Sequence, residues 1–381
     1  MTFHRYIGID YSGAATPTSS LSNLRVFTAA PGETAREEPP PPGPRKYWTR
    51  RGIAEWLAAR LTEPVPTIAG IDHAFSFPLP YFRQHGLAHD WPAFLNDFRQ
   101  HWPTDDEHMY VDFIRDGASG NGAARLGESH WRRLTDIVAG SAKSPFHFDV
   151  TGSVAKSTHA GLPWLRYLRR HTEAFFWPFD GWEIPAGRSA VVEVYPRLWN
   201  RGPRPGGWTA DQFDAFVIVE WLRQADEDGS LAHALASPEN AEVREIAGLE
   251  GWILGVEPTR VTPAVHAKYA ESATRSFHTP NVRRRRSAQL LREQPRMPEI
   301  SRFHGIVIGM FYEKHGRPHF HARFGDFKIS VEIEQRVVRG EFPGPALRRV
   351  LDWADLHQSE LLNNWQLART GAPLQRIDPL P

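Results

Sequence analysis

Cysteine is absent from all 381 residues. That excludes a disulfide framework and any thiolate metal site, leaving histidine and carboxylate as the side chains able to ligate a metal. Also absent is any apolar run near the ~18 residues that a membrane span needs. No membrane partner is therefore expected. The opening MTFHRYIGID has no basic segment followed by a long apolar core, so no secretory signal is read and a cytoplasmic location is expected. Net charge is small: 45 Lys and Arg against 44 Asp and Glu leave +1. This balance neither demands nor excludes a polyanionic partner, because local patches decide that.

Proline (32) and tryptophan (14) are plentiful, and 41% hydrophobic content is enough for ordinary cores. At roughly 100–200 residues per domain, the length suggests two domains. Two segments punctuate the chain. The proline-rich stretch APGETAREEPPPPGPRKY, residues 30–47, reads as an exposed loop. The basic stretch at 278–296 carries four consecutive arginines, 283–286, and no sustained apolar face. It reads as a linker between a domain at 1–277 and another at 297–381, although its arginines could also contact phosphate.

The first domain reads as α/β. RYIGIDYSG (5–13), NLRVFTAAP (23–31), TIAGIDHAFSFP (67–78) and SAVVEVYPRLW (189–199) are strand-like. TRRGIAEWLAARL (49–61) and TADQFDAFVIVEWLRQA (209–225) have helical spacing, and 79–180 reads as inserted helices and loops. The second domain reads as strands at 305–313, 319–334 and 336–342, followed by one long amphipathic helix or a helical hairpin at 344–371. That is a small α+β domain.

Acids fall at strand ends in the first domain. Asp10 and Asp72 each end a strand, Glu193 lies within a third, and Asp211 and Asp214 open the following helix. In α/β sheets, sites form beyond the carboxyl ends of strands. Carboxylates gathered there repel one another unless hard cations such as Mg²⁺ or Mn²⁺ neutralise them. Two such ions can activate water and stabilise the leaving oxygen of a phosphodiester. The plainer reading makes these acids turn formers, with Thr209 or Asp211 as a helix cap. Glu193 is harder to dismiss, because a buried charge needs a partner or a metal. Ser12 and Gly13 offer backbone N–H groups to a phosphate or simply form a tight turn. Tyr195 and Arg197 could bind substrate or pack at a strand exit. Lys143, Lys156, Arg166, Arg169 and Arg170 lie among aromatics, as a nucleic-acid track or a solvated helix face.

YIGIDYSGA, IAGIDHAFSFP, VVEVYPRLW, DQFDAFVIVEWL and LEGWILG, in that order over residues 5–257, resemble the predicted RNase H-like nuclease family called domain of unknown function 429. The resemblance implies a mixed five-stranded sheet with helices on both faces. It implies nuclease acids at Asp10, Asp72 and Asp211 or Asp214, with Glu193 ranked above Glu250. A metal-dependent nuclease acting on DNA or RNA is the first reading. A non-enzymatic binding or toxin–antitoxin protein is the second. The sugar-kinase and actin branch ranks last, because no second phosphate loop or adenosine motif is found.

The second domain contains EKHGRPHFHARFG, residues 313–325, with His315, His319 and His321. In a strand His319 and His321 share one face and Phe320 takes the other. Two imidazoles could ligate Zn²⁺, act as an acid–base pair, or bond helix carboxylates as plain structure. Arg317 and Arg323 could hold phosphate, and His357 and Glu360 could complete any of these arrangements. Residues 297–381 resemble domain of unknown function 4160. That implies a small domain with toxin–antitoxin systems as one setting; in the nuclease reading it is expected to be an accessory module binding nucleic acid or a protein partner.

Overall fold

Gly8 and Gly70 decide how the first unit is built. They are register neighbours on adjacent parallel strands, Arg5–Asp10 and Thr67–Asp72. A Cβ at Gly8 would stand 2.5 Å from the Ala215 carbonyl oxygen, and one at Gly70 would stand 2.8 Å from Ile218 Cγ2. The helix Ala210–Glu227 therefore lies directly on the sheet at these two positions. Asp10 and Asp72 follow two residues later on the same strands, hence on the same face.

The computed structural model describes residues 2–43, 45–107, 109–115, 120–148, 154–200, 202–274, 299–310, 318–324, 327–334, 338–370 and 372–380. The chain divides into two units, Met1–Thr279 and Pro280–Pro381. The linker read at 278–296 lies outside the described residues.

The first unit runs β1 (Arg5–Asp10), β2 (Arg25–Ala29), β3 (Arg36–Glu37), α1 (Arg50–Thr62), β4 (Thr67–Asp72), α2 (Leu79–His85), α3 (Trp91–His101), α4 (Val111–Arg115), α5 (Leu134–Ala139), α6 (Ala155–His171), β5 (Phe175–Phe176), β6 (Ala190–Glu193), α7 (Ala210–Glu227), α8 (Ser230–Ala234), α9 (Ala241–Glu250) and α10 (Pro263–Thr274). Its sheet has the order β3-β2-β1-β4-β6-β5. Strand β2 is antiparallel to β1 and β3, while β4, β6 and β5 run parallel to β1.

The expected mixed sheet with helices on both faces is present. It has six strands rather than five, with the two-residue β3 and β5 at its edges. Alternation sends Ile7, Ile9 and Ile71 to one face, packed with Leu57 of α1 and Leu165 of α6. Tyr6, Ile68 and Val192 face the other side, with Ile218, Val219 and Leu222 of α7. Each such burial contributes roughly 1.5–3 kcal/mol.

Two local readings need correction. The strand expected over 189–199 ends at Glu193, so that acid closes the strand rather than lying in its middle. Pro196, which has no N–H to give a neighbouring strand, opens a 3-10 turn instead. The proline-rich loop also contributes the edge strand β3.

The second unit holds β7 (Glu299–Phe303), β8 (Ile306–Gly309), β9 (His319–Phe324), β10 (Phe327–Glu332), β11 (Val338–Glu341), α11 (Gly344–Leu356) and α12 (Gln358–Thr370). The five strands pair antiparallel in the order β11-β10-β9-β8-β7. Phe320, Ala322, Ile329 and Val331 form one apolar face, packed with Val350, Trp353 and Leu361. Of the two alternatives read over 344–371, two helices are present, separated at His357. Among the described residues no helix is long and apolar enough to cross a membrane.

Candidate functional site

The register of β1 and β4 sets Asp10 beside Asp72. Thr209 supplies the cap of α7. Its hydroxyl accepts from the Gln212 N–H, and the Gln212 side chain accepts from the Thr209 N–H. Asp211 is thus released from capping and sits in the first turn, with Asp214 one turn inward. Asp214 accepts from Asn200 Nδ2 at 2.8 Å.

Asp10, Asp72, Asp211 and Asp214 line one cavity of about 460 Å³. Burial, then the Asp72, Asp211 and Asp214 charges, push the Asp10 carboxyl well above the usual carboxylate range. Burial and the Asp214 and Glu193 charges push Asp72 up to about 8. Neither carboxylate has a hydrogen bond or ion pair among the described residues. Two adjacent buried carboxylates cannot both ionise cheaply, so a shared proton or a bound cation would relieve their repulsion.

Glu193 is placed differently. Its register partner is Ile71, one residue before Asp72, so it faces the opposite side of the sheet. Arg133 Nη2 and Nη1 donate to its two oxygens at 2.5 and 2.6 Å. The Phe75 N–H adds a bond of 3.0 Å. Arg133 also donates to both oxygens of Asp136, at 2.8 and 3.2 Å. The charge that looked in need of a metal is therefore neutralised by a buried guanidinium. Burial pushes Glu250 up to about 7. It accepts from the Leu79 and Leu134 N–H groups at 2.5 and 2.7 Å and from Tyr269 Oη at 2.6 Å.

Ser12, Lys143, Tyr195 and Arg197 line the same cavity, and so do Arg133 and Lys156. Ser12 is buried, and its Oγ accepts from the Ala14 N–H at 3.3 Å, which makes this segment a tight turn. A Cβ at Gly13 would lie 2.1 Å from the Lys156 carbonyl oxygen, so the glycine is required for α6 to approach. Lys156 pairs with Asp112 at 2.7 Å. Arg166 donates to Asn96 and Arg169 pairs with Asp180, so these two arginines are bound to the protein rather than lining the cavity. Arg133 was not among the residues singled out by local pattern. Its one local signal is Asp136 three residues on, and its main partner lies 60 positions away.

In the second unit His315 and Arg317 lie outside the described residues. The His319 and His321 rings are 5.0 Å apart, and the His319 ring is 5.1 Å from that of Trp365. Burial, then the charges of His319 and Lys328, lower His321 to about 4, so it stays neutral across the physiological range. Glu332 and Ser330 are their register partners across β10. Arg323 is exposed one step further along β9. His357 instead bonds Glu360 on its own helix turn. Among the described residues no three His, Asp or Glu side chains, in either unit, stand in metal-holding geometry.

One comparison finds a family. Residues 305–366 match the domain of unknown function DUF4160. The match lies inside the 297–381 stretch whose sequence pointed to the same family. No family match supports the resemblance over residues 5–257. No curated protein and no solved structure matches the chain.

Proposed function

We propose that the first unit is a metal-dependent phosphodiesterase acting on nucleic acid. The observation that carries this reading is the Asp10–Asp72 pair. Two strand-end carboxylates lie side by side without an ion pair among the described residues, in a cavity that Lys143, Lys156 and Arg197 also line. The donor set suits Mg²⁺ or Mn²⁺, which are commonly held by one or two carboxylates with water and substrate phosphate supplying the rest. Asp10 and Asp72 would hold the ion, with Asp211 and Asp214 as outer acceptors for its waters. A bound divalent ion supplies charge stabilisation of phosphoryl oxygens and a more acidic water. The chain's own residues do the remainder: Lys143 and Arg197 draw the phosphate in, and Tyr195 lies on the same wall. Glu193, held by Arg133, shapes the cavity without ligating.

A second reading, a binding protein without turnover, is favoured by one observation: among the described residues no third ligand stands in metal-holding geometry with Asp10 and Asp72. In either reading the second unit is an accessory module. It would contact nucleic acid or a protein partner through the His319, His321 and Arg323 face.

The test is cleavage of end-labelled single- and double-stranded DNA and RNA with Mn²⁺, against an EDTA control. The expected result is metal-dependent cleavage that Asp10→Asn lowers by at least about 10³-fold. Arg197→Ala should raise KM more than it lowers kcat. No cleavage of any substrate by wild type would favour the binding reading.

A further inference from the structure

Strand pairing in the second unit draws a line of cations across its sheet. Arg302 of β7 stands opposite Val307 of β8, Val307 opposite Arg323 of β9, and Arg323 opposite Lys328 of β10. Register partners share one face of an antiparallel sheet, so these four side chains form a single row. Phe303, Ile306, Ala322 and Ile329, each one position away on the same strands, belong to the core with Val350 and Trp353 of α11. The row therefore lies on the face turned away from that core. Arg302, Arg323 and Lys328 are exposed, and Val307 between the two arginines is buried.

Like charges directly opposite one another destabilise a sheet, and Arg323 faces Lys328. Neither has an ion pair among the described residues. The acids near the row are few. Glu341 is the partner of Lys328 on β11, at the row's end. At the other end Arg302 and Arg376 share one carboxylate, Glu299, at 2.6 and 3.0 Å. Glu332, further along β10, is buried. The solvent side of the row is thus dominated by cations that repel one another until an anion lies across them.

The same face has no exposed apolar anchor in this row. Phe327, exposed beside Lys328, alternates to the side of Ile329 and Val331. A protein partner is held by a desolvated apolar centre, whereas a phosphate backbone is held by charge and N–H donors alone. We propose that the row formed by Arg302, Arg323 and Lys328 holds the phosphate backbone of a nucleic-acid strand without reading its bases. This rests on the accessory-module reading given above and is independent of the acidic cavity in the first unit.

The test uses the full chain in EDTA, which stops metal-dependent cleavage, with short labelled single strands of DNA and of RNA of mixed sequence. Fluorescence anisotropy gives the affinity across a salt series. Each phosphate neutralised on a single strand adds about 0.7 to the slope of log K against log salt. Arg323→Gln/Lys328→Gln should make that slope shallower by about 1.4 and lower the affinity at least about tenfold at low salt. It should melt no lower than wild type, because it removes a repulsion. Arg323→Lys, which keeps the charge, should retain the wild-type slope. A change confined to DNA or to RNA supports the proposal and names the strand. A wild-type slope in the double variant, or no binding by wild type, would overturn it. Binding of poly-glutamate as tight as that of either strand, and lost in the same variant, would assign the row to an acidic protein and overturn it too. Absence of cleavage in Mn²⁺ with the slope change intact would remove the nuclease reading alone.

Discussion

Asp72→Asn should make the metal-free protein more stable than wild type at pH 8, by on the order of 5 kcal/mol. The sign follows from linkage. Burial and neighbouring acids raise the folded carboxyl of Asp72 from 3.8 to about 8. Between those values the unfolded chain has lost the proton and the folded chain keeps it. The unfolded state therefore binds fewer protons, and stability falls as pH rises across the window. Above the folded value the penalty is complete and constant. Asparagine carries no charge to penalise, so the variant's advantage should grow from about zero near pH 4 to its full size by pH 8. Urea denaturation of both proteins across this range checks it. A variant less stable than wild type at pH 8 would mean that the aspartate is held by favourable bonds and is no cation site.

Arg133→Met should have the largest destabilising effect on folding, a loss of about 3–5 kcal/mol. The guanidinium is 2% exposed and bonds both oxygens of Glu193 and both of Asp136. Removing it leaves two buried carboxylates without a counter-charge at the end of β6 and the start of α5. Adding Glu193→Gln should recover part of the loss, because the amide needs no cation. Equilibrium unfolding of the single and double variants checks this. A double variant as unstable as the sum of the two single variants would show that the pair is not coupled.

The sheet was legible where local pattern and tertiary role agree. RYIGID and TIAGID are apolar runs closed by an acid, and both are strands ending at that acid. The start of α7 was readable to within Thr209 or Asp211, and the reciprocal bonds of Thr209 and Gln212 make Thr209 the cap. The same-face placement of His319 and His321 follows from strand alternation, and Phe320 is buried on the opposite side. The role of Glu193 was not legible, because its neutralising partner comes from a distant helix cap in the inserted region. The edge strands β3 and β5 have two residues each, too few for periodicity to register. The break between α11 and α12 at His357 carries neither proline nor glycine to mark it. Strand β7 was missed because EISRF lies beside a basic stretch that dominated the reading.

The central claim is that Asp10 and Asp72 together hold a divalent cation. Isothermal titration of Mn²⁺ into wild type and into Asp10→Asn/Asp72→Asn, repeated in two buffers of different ionisation enthalpy, tests it directly. The predicted result is a saturable wild-type site that releases protons as the raised carboxyls ionise, and no such site in the double variant. Equal binding by both proteins, or no binding by either, would contradict it.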